Sequence, residues 1–236
     1  MSFESAENRL LGKWNKKYGI NLNDYISGGI ADEPSWLGSD FKVMYLVKDV
    51  NHCDNDFDKN KYFKDPDGSE MINTIIYWQK AINEARLSSY VLGDRTLSWY
   101  KDLDLSVFDS LSIDERKDLL KQIAVICVKK MTGKDMVNRQ CLSKFLQNYL
   151  ELFNSFDCCK YRPNLIVGGE ITQILADLEI IEKKEWMKTD NGVNYVYKDG
   201  IIYLAFYHPN IRLGGTYLYF ALRDAVNIIL KKYSFI

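Results

Sequence analysis

The chain has 236 residues, of which 47% are hydrophobic and 14% aromatic, and its formal net charge is −1. This hydrophobic content is enough for one substantial core and excludes global disorder. The charge balance excludes a uniformly basic nucleic-acid-binding protein, but it is compatible with a local basic surface. The five cysteines form no C-x-x-C pair, which argues for reduced thiols and against a structural zinc or iron–sulfur site. We therefore expect no metal and no cofactor.

The sequence carries no signal for a membrane location. No apolar run approaches the length of a membrane span, and residues 1–4 lack the basic-then-apolar pattern of a signal peptide. We expect a cytoplasmic protein and a monomer, with no membrane partner. No repeat, low-complexity tract or linker divides the sequence. Residues 1–236 are expected to form a single domain, in which residues 1–40 are a helical lead-in.

Hydrophobic periodicity divides the chain into alternating strands and helices. Short apolar, β-favouring runs predict strands at residues 41–47, 123–128, 164–167, 193–197 and 201–206. Amphipathic patterns predict helices at residues 5–18, 71–85, 113–121, 141–156, from about 170, and 217–232. Strands that alternate with helices predict a parallel sheet with helices on both faces. The expected fold is therefore α/β, with three layers around a central, mainly parallel, four-stranded sheet.

Local sequence signals refine these boundaries. Ser112 followed by Glu115 matches a capping box at the start of a helix. An Asp-Gly pair at residues 199–200, between two strand patterns, predicts a hairpin. A loop containing Pro34 is expected before the first strand. Gly168 and Gly169 are not part of a G-x-G-x-x-G dinucleotide-binding pattern, so we expect them to permit close strand-to-helix packing.

Two polar turns follow buried-looking strands, one near each end of the chain. Lys48-Asp49-Val50-Asn51-His52 follows the first strand, and His208-Pro209 ends the last one. Proline stops a strand because it cannot donate a hydrogen bond to the sheet. Ligands of open α/β sheets bind at the carboxyl ends of the strands. The two turns therefore suggest one site assembled across the sheet.

Residues 129–144 carry five basic side chains against a single acid, Asp135. A charge cluster is often only a solvated surface, but this one directly follows the second predicted strand. We interpret Lys129, Lys130 and Lys134 as a track that binds phosphates.

The two turns resemble the motifs of the uracil-DNA glycosylase superfamily. Lys48-Asp49-Val50-Asn51-His52 is similar to its water-activating motif, a strand followed by Gln-Asp-Pro-Tyr-His. His208-Pro209-Asn210-Ile211-Arg212-Leu213 resembles its second motif, His-Pro-Ser-Pro-Leu-Ser. Val125-Ile126-Cys127 occupies the place of its Leu-Leu-Asn strand, and residues 165–169 that of its third strand. The order and spacing of these elements agree over roughly residues 41–230, and the identical residues are Asp49, His52, His208 and Pro209.

The resemblance implies a monofunctional DNA glycosylase, which hydrolyses the N-glycosidic bond of a base flipped out of DNA. Asp49 would stabilise the oxocarbenium-like sugar and orient the attacking water, and His208 would stabilise the charge on the departing base. The base would contact Asn51, His52, Cys127, Phe57, Phe63 and Asn210. The DNA would contact Lys48, Lys129, Lys130, Lys134, Arg212 and Leu213. Arg212 and Leu213 would fill the space that the base vacates. Phe57 and Phe63 belong either to the base pocket or to the core.

Two departures from the uracil motifs favour a different base. Asn51 stands where the uracil enzymes have a tyrosine that blocks substituents at C5. Cys127 replaces the asparagine that reads the Watson–Crick edge of uracil. We therefore favour a C5-modified pyrimidine, such as the hydroxymethylated or glucosylated cytosine of phage DNA, and a role in antiviral defence. Lys129 is a candidate for the acid assistance that a cytosine leaving group needs.

Three alternative functions stay open. The chain could be a uracil or mismatch glycosylase in base-excision DNA repair, a non-catalytic DNA-binding module of the same fold, or a small α/β hydrolase of free nucleosides. Formation of abasic sites would separate the glycosylases from the binding module. Inhibition by long unmodified DNA would separate a glycosylase from a nucleoside hydrolase.

Overall fold

Helices and strands alternate along the chain. The structure, a computed structural model, describes residues 2–18, 29–47, 70–87, 111–127, 147, 150–151, 159–169, 171–177, 179–207, 209 and 215–235. The helices are α1 (Phe3–Tyr18), α2 (Glu33–Gly38), α3 (Glu70–Ala85), α4 (Ile113–Lys121), α5 (Ile171–Asp177) and α6 (Gly215–Lys232). The strands are β1 (Gly29–Ile30), β2 (Val43–Val47), β3 (Ile123–Cys127), β4 (Leu165–Gly168), β5 (Met187–Lys188), β6 (Asn194–Lys198) and β7 (Ile201–Ala205). The predicted helix at 141–156 lies mostly outside the described residues.

The strands form one sheet in the order β1-β3-β2-β4-β7-β6-β5. Its four neighbouring strands β3, β2, β4 and β7 are mutually parallel, whereas β1 and β6 are antiparallel to their neighbours β3 and β7. The expected α/β fold with a mainly parallel sheet is confirmed. The sheet has seven strands instead of the four expected, because the antiparallel hairpin strand β6 joins it and because β1 and β5 have two residues each. Strands of two residues are too short to leave a periodic pattern.

Helices cover both faces of the sheet. On one face α3 and α6 pack over residues of the central strands, including Tyr45, Val125, Val167 and Leu204. On the other face α1, α2 and α5 pack over the alternate residues, including Met44, Ile126 and Ile166. All five residues of β2 are buried. A strand covered on both faces reads as a continuous hydrophobic run, which is why β2 has the sequence VMYLV.

Helices α3 and α6 run antiparallel to the central strands. Trp78, in the middle of α3, contacts Tyr45 in the middle of β2, with ring centroids 6.4 Å apart. The guanidinium carbon Cζ of Arg86, just beyond the end of α3, lies 4.9 Å from the ring centroid of Phe41, just before β2 begins. Phe235, just beyond the end of α6, lies 6.2 Å from the same ring. Both helices therefore begin near the carboxyl ends of the strands.

Two of the local sequence signals are confirmed. Ser112 Oγ accepts a hydrogen bond from Glu115 N at 3.3 Å, and the Glu115 carboxylate accepts one from Ser112 N at 2.7 Å. These bonds satisfy backbone donors at the start of α4. Asp199 and Gly200 have φ angles of 51° and 79°, which a tight two-residue hairpin turn requires.

The loop predicted around Pro34 is wrong, because Pro34 lies in the first turn of α2. Asp32 caps this helix and accepts a hydrogen bond from Ser35 N at 2.9 Å. Proline is favourable at this position because the N–H groups of the first helical turn have no partner within the helix, so no hydrogen bond is lost when the N–H is absent. Among the described helices, none combines the length and apolar character needed to cross a membrane.

Tyr203, in β7, provides a test of the packing on the α1 and α5 side of the sheet. Burial raises the pKa of Tyr203 from 10.0 to about 12. The neutral phenol therefore stabilises the fold fully below pH 10.0, and this stabilisation is lost as the pH rises towards about 12. The shift corresponds to about 2 to 3 kcal/mol in the free energy of unfolding. Tyr203→Phe should remove this part of the alkaline destabilisation, measured by urea unfolding at a series of pH values.

The control is Tyr197→Phe, at a more exposed position in β6 next to β7. It removes the same hydroxyl and should leave the alkaline dependence of the wild type in place. A Tyr203→Phe variant whose free energy of unfolding falls as steeply as that of the wild type over this pH range would contradict the prediction.

Candidate active site

The four parallel strands end level with one another at one edge of the sheet. Val47 of β2 lies opposite Cys127 of β3, and Gly168 of β4 lies opposite Leu46 of β2 and Ala205 of β7. Neighbouring strands are about 4.8 Å apart, so the four ends span roughly 15 Å. In open α/β sheets ligands bind at this carboxyl edge. We therefore place the candidate site here.

The structure brings together the strands that precede the two predicted catalytic residues. Asp49 comes two residues after Val47, and His208 comes three residues after Ala205. Since β4 lies between β2 and β7, the ends of these two strands are about 10 Å apart. Cys127 is the last residue of β3, directly beside the end of β2. The carboxyl edge thus gathers the starting points of both motifs.

Most predicted site residues lie outside the described residues, so their side-chain positions stay predictions. These residues are Lys48, Asp49, Asn51, His52, Phe57, Phe63, Lys129, Lys130, Lys134, His208, Asn210, Arg212 and Leu213. Pro209, between His208 and Asn210, is described and is buried.

A stack of aromatic rings lies at this edge and is not part of either motif. Phe206 N donates a hydrogen bond to Gly168 O at 3.1 Å, which fixes Phe206 against the end of β4. Its ring meets the buried ring of Trp78 edge-on, with centroids 5.1 Å apart. The ring of Tyr207 meets that of Phe206 at 5.3 Å, and Tyr207 is 38% exposed. The stack thus leads from the core to the surface, directly before His208. The only sequence signal for it is the aromatic pair that precedes the His-Pro step.

A chain of hydrogen bonds fixes α3 relative to the middle of β2 and to the residue before β3, on the side where the strands begin. Tyr45 Oη donates to Gln79 Oε1, Gln79 Nε2 to Asn83 Oδ1, and Asn83 Nδ2 to Gln122 Oε1, each at 3.1 Å. Burial raises the pKa of Tyr45 well above its ordinary value of 10.0, because its phenolate would be desolvated. Tyr45 is therefore a permanent donor at physiological pH. The network connects β2, α3 and the residue before β3, and so holds two of the edge-forming strands in register with the helix.

Two helices contribute a positive local dipole end on this side of the sheet. Helices α3 and α6 begin on this side of the sheet, and the backbone N–H groups of a first helical turn carry the positive end of the helix dipole. This local effect is independent of the overall charge of −1. Among the described residues, no group of three or more His, Cys, Asp or Glu side chains could hold a metal ion.

Gly168, the last residue of β4, lies where a side chain would be tightly packed. A Cβ atom at this position would lie 3.1 Å from Leu46 Cβ and 3.4 Å from Ile171 Cβ. The glycine therefore lets β4, β2 and α5 approach closely at the edge of the site. The prediction that this glycine serves strand-to-helix packing is confirmed.

Comparison of the chain with known protein families, with characterised proteins and with solved structures finds no match.

The close packing at Gly168 leads to a prediction on stability. Gly168→Ala should destabilise the protein by about 1 to 3 kcal/mol, because Leu46 in the centre of the sheet must shift to accept the methyl group. Gly12→Ala is the matched control, since a Cβ at Gly12 in α1 meets nothing within 4 Å. Alanine there should stabilise the helix by about 0.5 to 1 kcal/mol. Denaturant unfolding measures both changes, and a Gly168→Ala variant as stable as the wild type would show that the edge is loosely packed.

Proposed function

We propose that this protein is a monofunctional DNA glycosylase with a uracil-DNA glycosylase-like layout. It hydrolyses the N-glycosidic bond of a flipped-out, C5-modified pyrimidine, such as hydroxymethylated or glucosylated cytosine in phage DNA. The product is an abasic site, and the role is antiviral defence. The observation that carries the proposal is that β2 and β7, which lead to Asp49 and His208, end at the same edge of the sheet. The chain positions of both motifs thus agree with one shared site.

The spacing of the strand ends suits the reaction. Cleavage of a nucleoside requires a carboxylate near the sugar, where positive charge develops, and a hydrogen-bond donor near the base, where negative charge develops. Asp49 and His208 would fill these roles from strand ends about 10 Å apart, a separation in which a sugar and its base fit between the two segments. The intervening strand β4 ends in Gly168 and is followed by Gly169, and neither glycine contributes a side chain to this space.

The choice of base rests on Asn51 and Cys127. Cys127 ends β3 beside Val47, and Asn51 follows Val47 by four residues in the sequence, so each position is linked to one of two neighbouring strand ends. A thiol cannot supply the paired donor and acceptor that read the Watson–Crick edge of uracil. Asn51 is smaller than the tyrosine that excludes C5 substituents in the uracil enzymes, and its amide can hydrogen-bond a polar substituent. Both features support a base with a polar group at C5.

The proposed contacts with the DNA backbone are three lysines. Lys129, Lys130 and Lys134 follow β3, whose end adjoins that of β2. Lysines that bind phosphates release counterions, which makes DNA affinity strongly dependent on salt. The first turns of α3 and α6 add a positive electrostatic contribution on this side.

The catalytic assignment is tested by Asp49→Asn and His208→Ala. Asp49→Asn should abolish base release, because the neutral amide does not stabilise the sugar cation. His208→Ala should slow release by about two to three powers of ten, as expected for the loss of one charge-stabilising donor. The measurement is single-turnover formation of alkali-labile sites in a labelled duplex, together with the released base.

Asp56→Asn is the control, since it makes the same chemical change in the same segment outside the motif. It should leave base release unchanged, and all three variants should unfold at the wild-type temperature. His52→Ala should cost less activity than His208→Ala, because we assign His52 to bracing the turn. Wild-type turnover by Asp49→Asn would remove Asp49 from the mechanism, and the reverse order of the two histidines would exchange their roles.

The choice of base is tested by Asn51→Tyr. The tyrosine ring would clash with a large C5 substituent and so exclude the favoured substrate. Activity is compared on duplexes that contain uracil, cytosine, 5-hydroxymethylcytosine or its glucosylated form. We expect the wild type to prefer a modified cytosine and Asn51→Tyr to lose that preference. A wild type that prefers uracil would support the repair glycosylase, and binding of DNA without abasic sites on any substrate would support the non-catalytic module.

A further inference from the structure

We infer that Tyr207 binds the face of a nucleobase at the carboxyl edge of the sheet. This inference deepens the proposed function and rests on it for the identity of the ligand as nucleic acid. Neither motif of the superfamily includes this position, which directly precedes His208. The inference comes from the exposure of the Tyr207 ring, its support by buried aromatic rings and its place at the candidate site.

Tyr207 has an exposed aromatic ring that packs against a series of buried aromatic rings. Its ring contacts Phe206, the Phe206 ring contacts Trp78, and Trp78 contacts Tyr45 in the central strand. Trp78 and Tyr45 are 2% and 1% exposed, whereas Tyr207 is 38% exposed. The backbone on its amino-terminal side is fixed by the hydrogen bond from Phe206 N to Gly168 O at 3.1 Å. A ring held in this way loses little conformational entropy when a ligand stacks on it.

The position of Tyr207 points to a nucleotide as the ligand. It lies two residues beyond the end of β7, whose neighbour in the sheet is β4, and on the side of the sheet where α3 and α6 begin. An exposed aromatic ring at the edge where open α/β sheets bind ligands is a surface on which a nucleobase can stack. Any nucleobase can stack on an aromatic ring, so Tyr207 would increase the affinity for nucleic acid without selecting one base over another.

The matched comparison is Tyr197, at the other end of the sheet. Tyr197 is 36% exposed, close to the value for Tyr207, and it also meets another aromatic ring edge-on, that of Phe235 at 5.8 Å. It pairs with Ile202 near the start of β7, at the edge opposite the candidate site. The two tyrosines are therefore alike in exposure and differ in location, and the Tyr197 ring also packs on that of Tyr233, with centroids 4.4 Å apart.

The test measures binding of fluorescein-labelled oligonucleotides, single-stranded and duplex, each containing 5-hydroxymethylcytosine, over a series of salt concentrations. Tyr207→Ala should weaken binding roughly 5- to 100-fold, the range for losing one base-stacking ring. The slope of log affinity against log salt should not change, because the ring contacts no phosphate. Charge reversal at Lys129, Lys130 and Lys134 should lower that slope, by about 0.9 for each lost phosphate contact on duplex DNA.

Further variants separate stacking from packing. Tyr207→Phe keeps the ring and should bind like the wild type, whereas Tyr207→Leu keeps apolar bulk without an aromatic face and should bind as weakly as Tyr207→Ala. Tyr197→Ala should bind like the wild type. Undiminished binding by both Tyr207→Ala and Tyr207→Leu would overturn the inference, as would an equal loss in Tyr197→Ala.

Base release on the same oligonucleotides separates this inference from the proposed function. Base release by the wild type together with Tyr207-independent binding would overturn the role of Tyr207 alone. Tyr207-dependent binding without base release would overturn the glycosylase and support the nucleobase contact. A wild type that binds neither oligonucleotide would overturn both.

Discussion

The burial of β2 on both faces and along both edges is the constraint on which the rest of the fold depends. Its residues alternate between two cores, with Tyr45 facing α3 and α6 and Met44 facing α1, α2 and α5. Its backbone is paired with β3 on one side and β4 on the other, both parallel. Parallel strands cannot be joined by a short hairpin, so the chain must cross back over a face between them. That requirement accounts for the helical layers and collects the carboxyl ends of β2, β3, β4 and β7 at one edge.

The two edges of the parallel sheet consequently differ in what they can do. At the edge where the strands begin, Asn164 accepts a hydrogen bond from Lys42 N at 2.7 Å through its side chain and one from Ile202 N at 2.9 Å through its backbone. The rings of Phe41 and Phe235 pack over the same region. These contacts close that edge and stabilise the register of β2, β4 and β7. At the opposite edge the chain leaves the sheet in the segments that carry the motifs, and variation there leaves the core intact.

The sequence predicts the central parallel strands well because each is buried on both faces. Their hydrophobic runs can be identified from the sequence without knowledge of the neighbouring strands. The capping box at Ser112 and the turn at Asp199 are also local sequence signals. The short elements β1, β5 and α2 are not predicted, since two-residue strands depend wholly on tertiary pairing and α2 is only six residues long. The buried network that begins at Tyr45 is not predicted either. Gln79 and Asn83 of α3 are polar residues of the kind found on solvent-exposed helix faces. Only the structure shows that their side chains hydrogen-bond to each other.

The sequence likewise predicts one part of the candidate site and not another. The two motif-bearing strands end together because of the strand order, and the position of each motif directly after an apolar run is enough to predict this. The stack of Trp78, Phe206 and Tyr207 joins residues of α3 to the end of β7, so no local pattern contains it. The missing information is the antiparallel course of α3 over the sheet, which brings Trp78 into contact with Phe206, two residues before His208 in the sequence.

This division bears on how such a site could select its base. Cys127 belongs to the paired part of the edge, because its backbone position is set by its register with Val47. A substitution at position 127 changes the chemistry of the side chain, whereas the strand pairing keeps the position of the backbone. A thiol is only a weak hydrogen-bond donor and acceptor for a pyrimidine. In the proposed glycosylase, hydrogen bonds to the base would come from Asn51 and Asn210, which follow β2 and β7 in the sequence. Amides in segments beyond the paired strands suit a substituent that projects from the ring, whereas a Watson–Crick edge demands a fixed pair of partners. The protein proposed here would therefore recognise a base by what has been added to it.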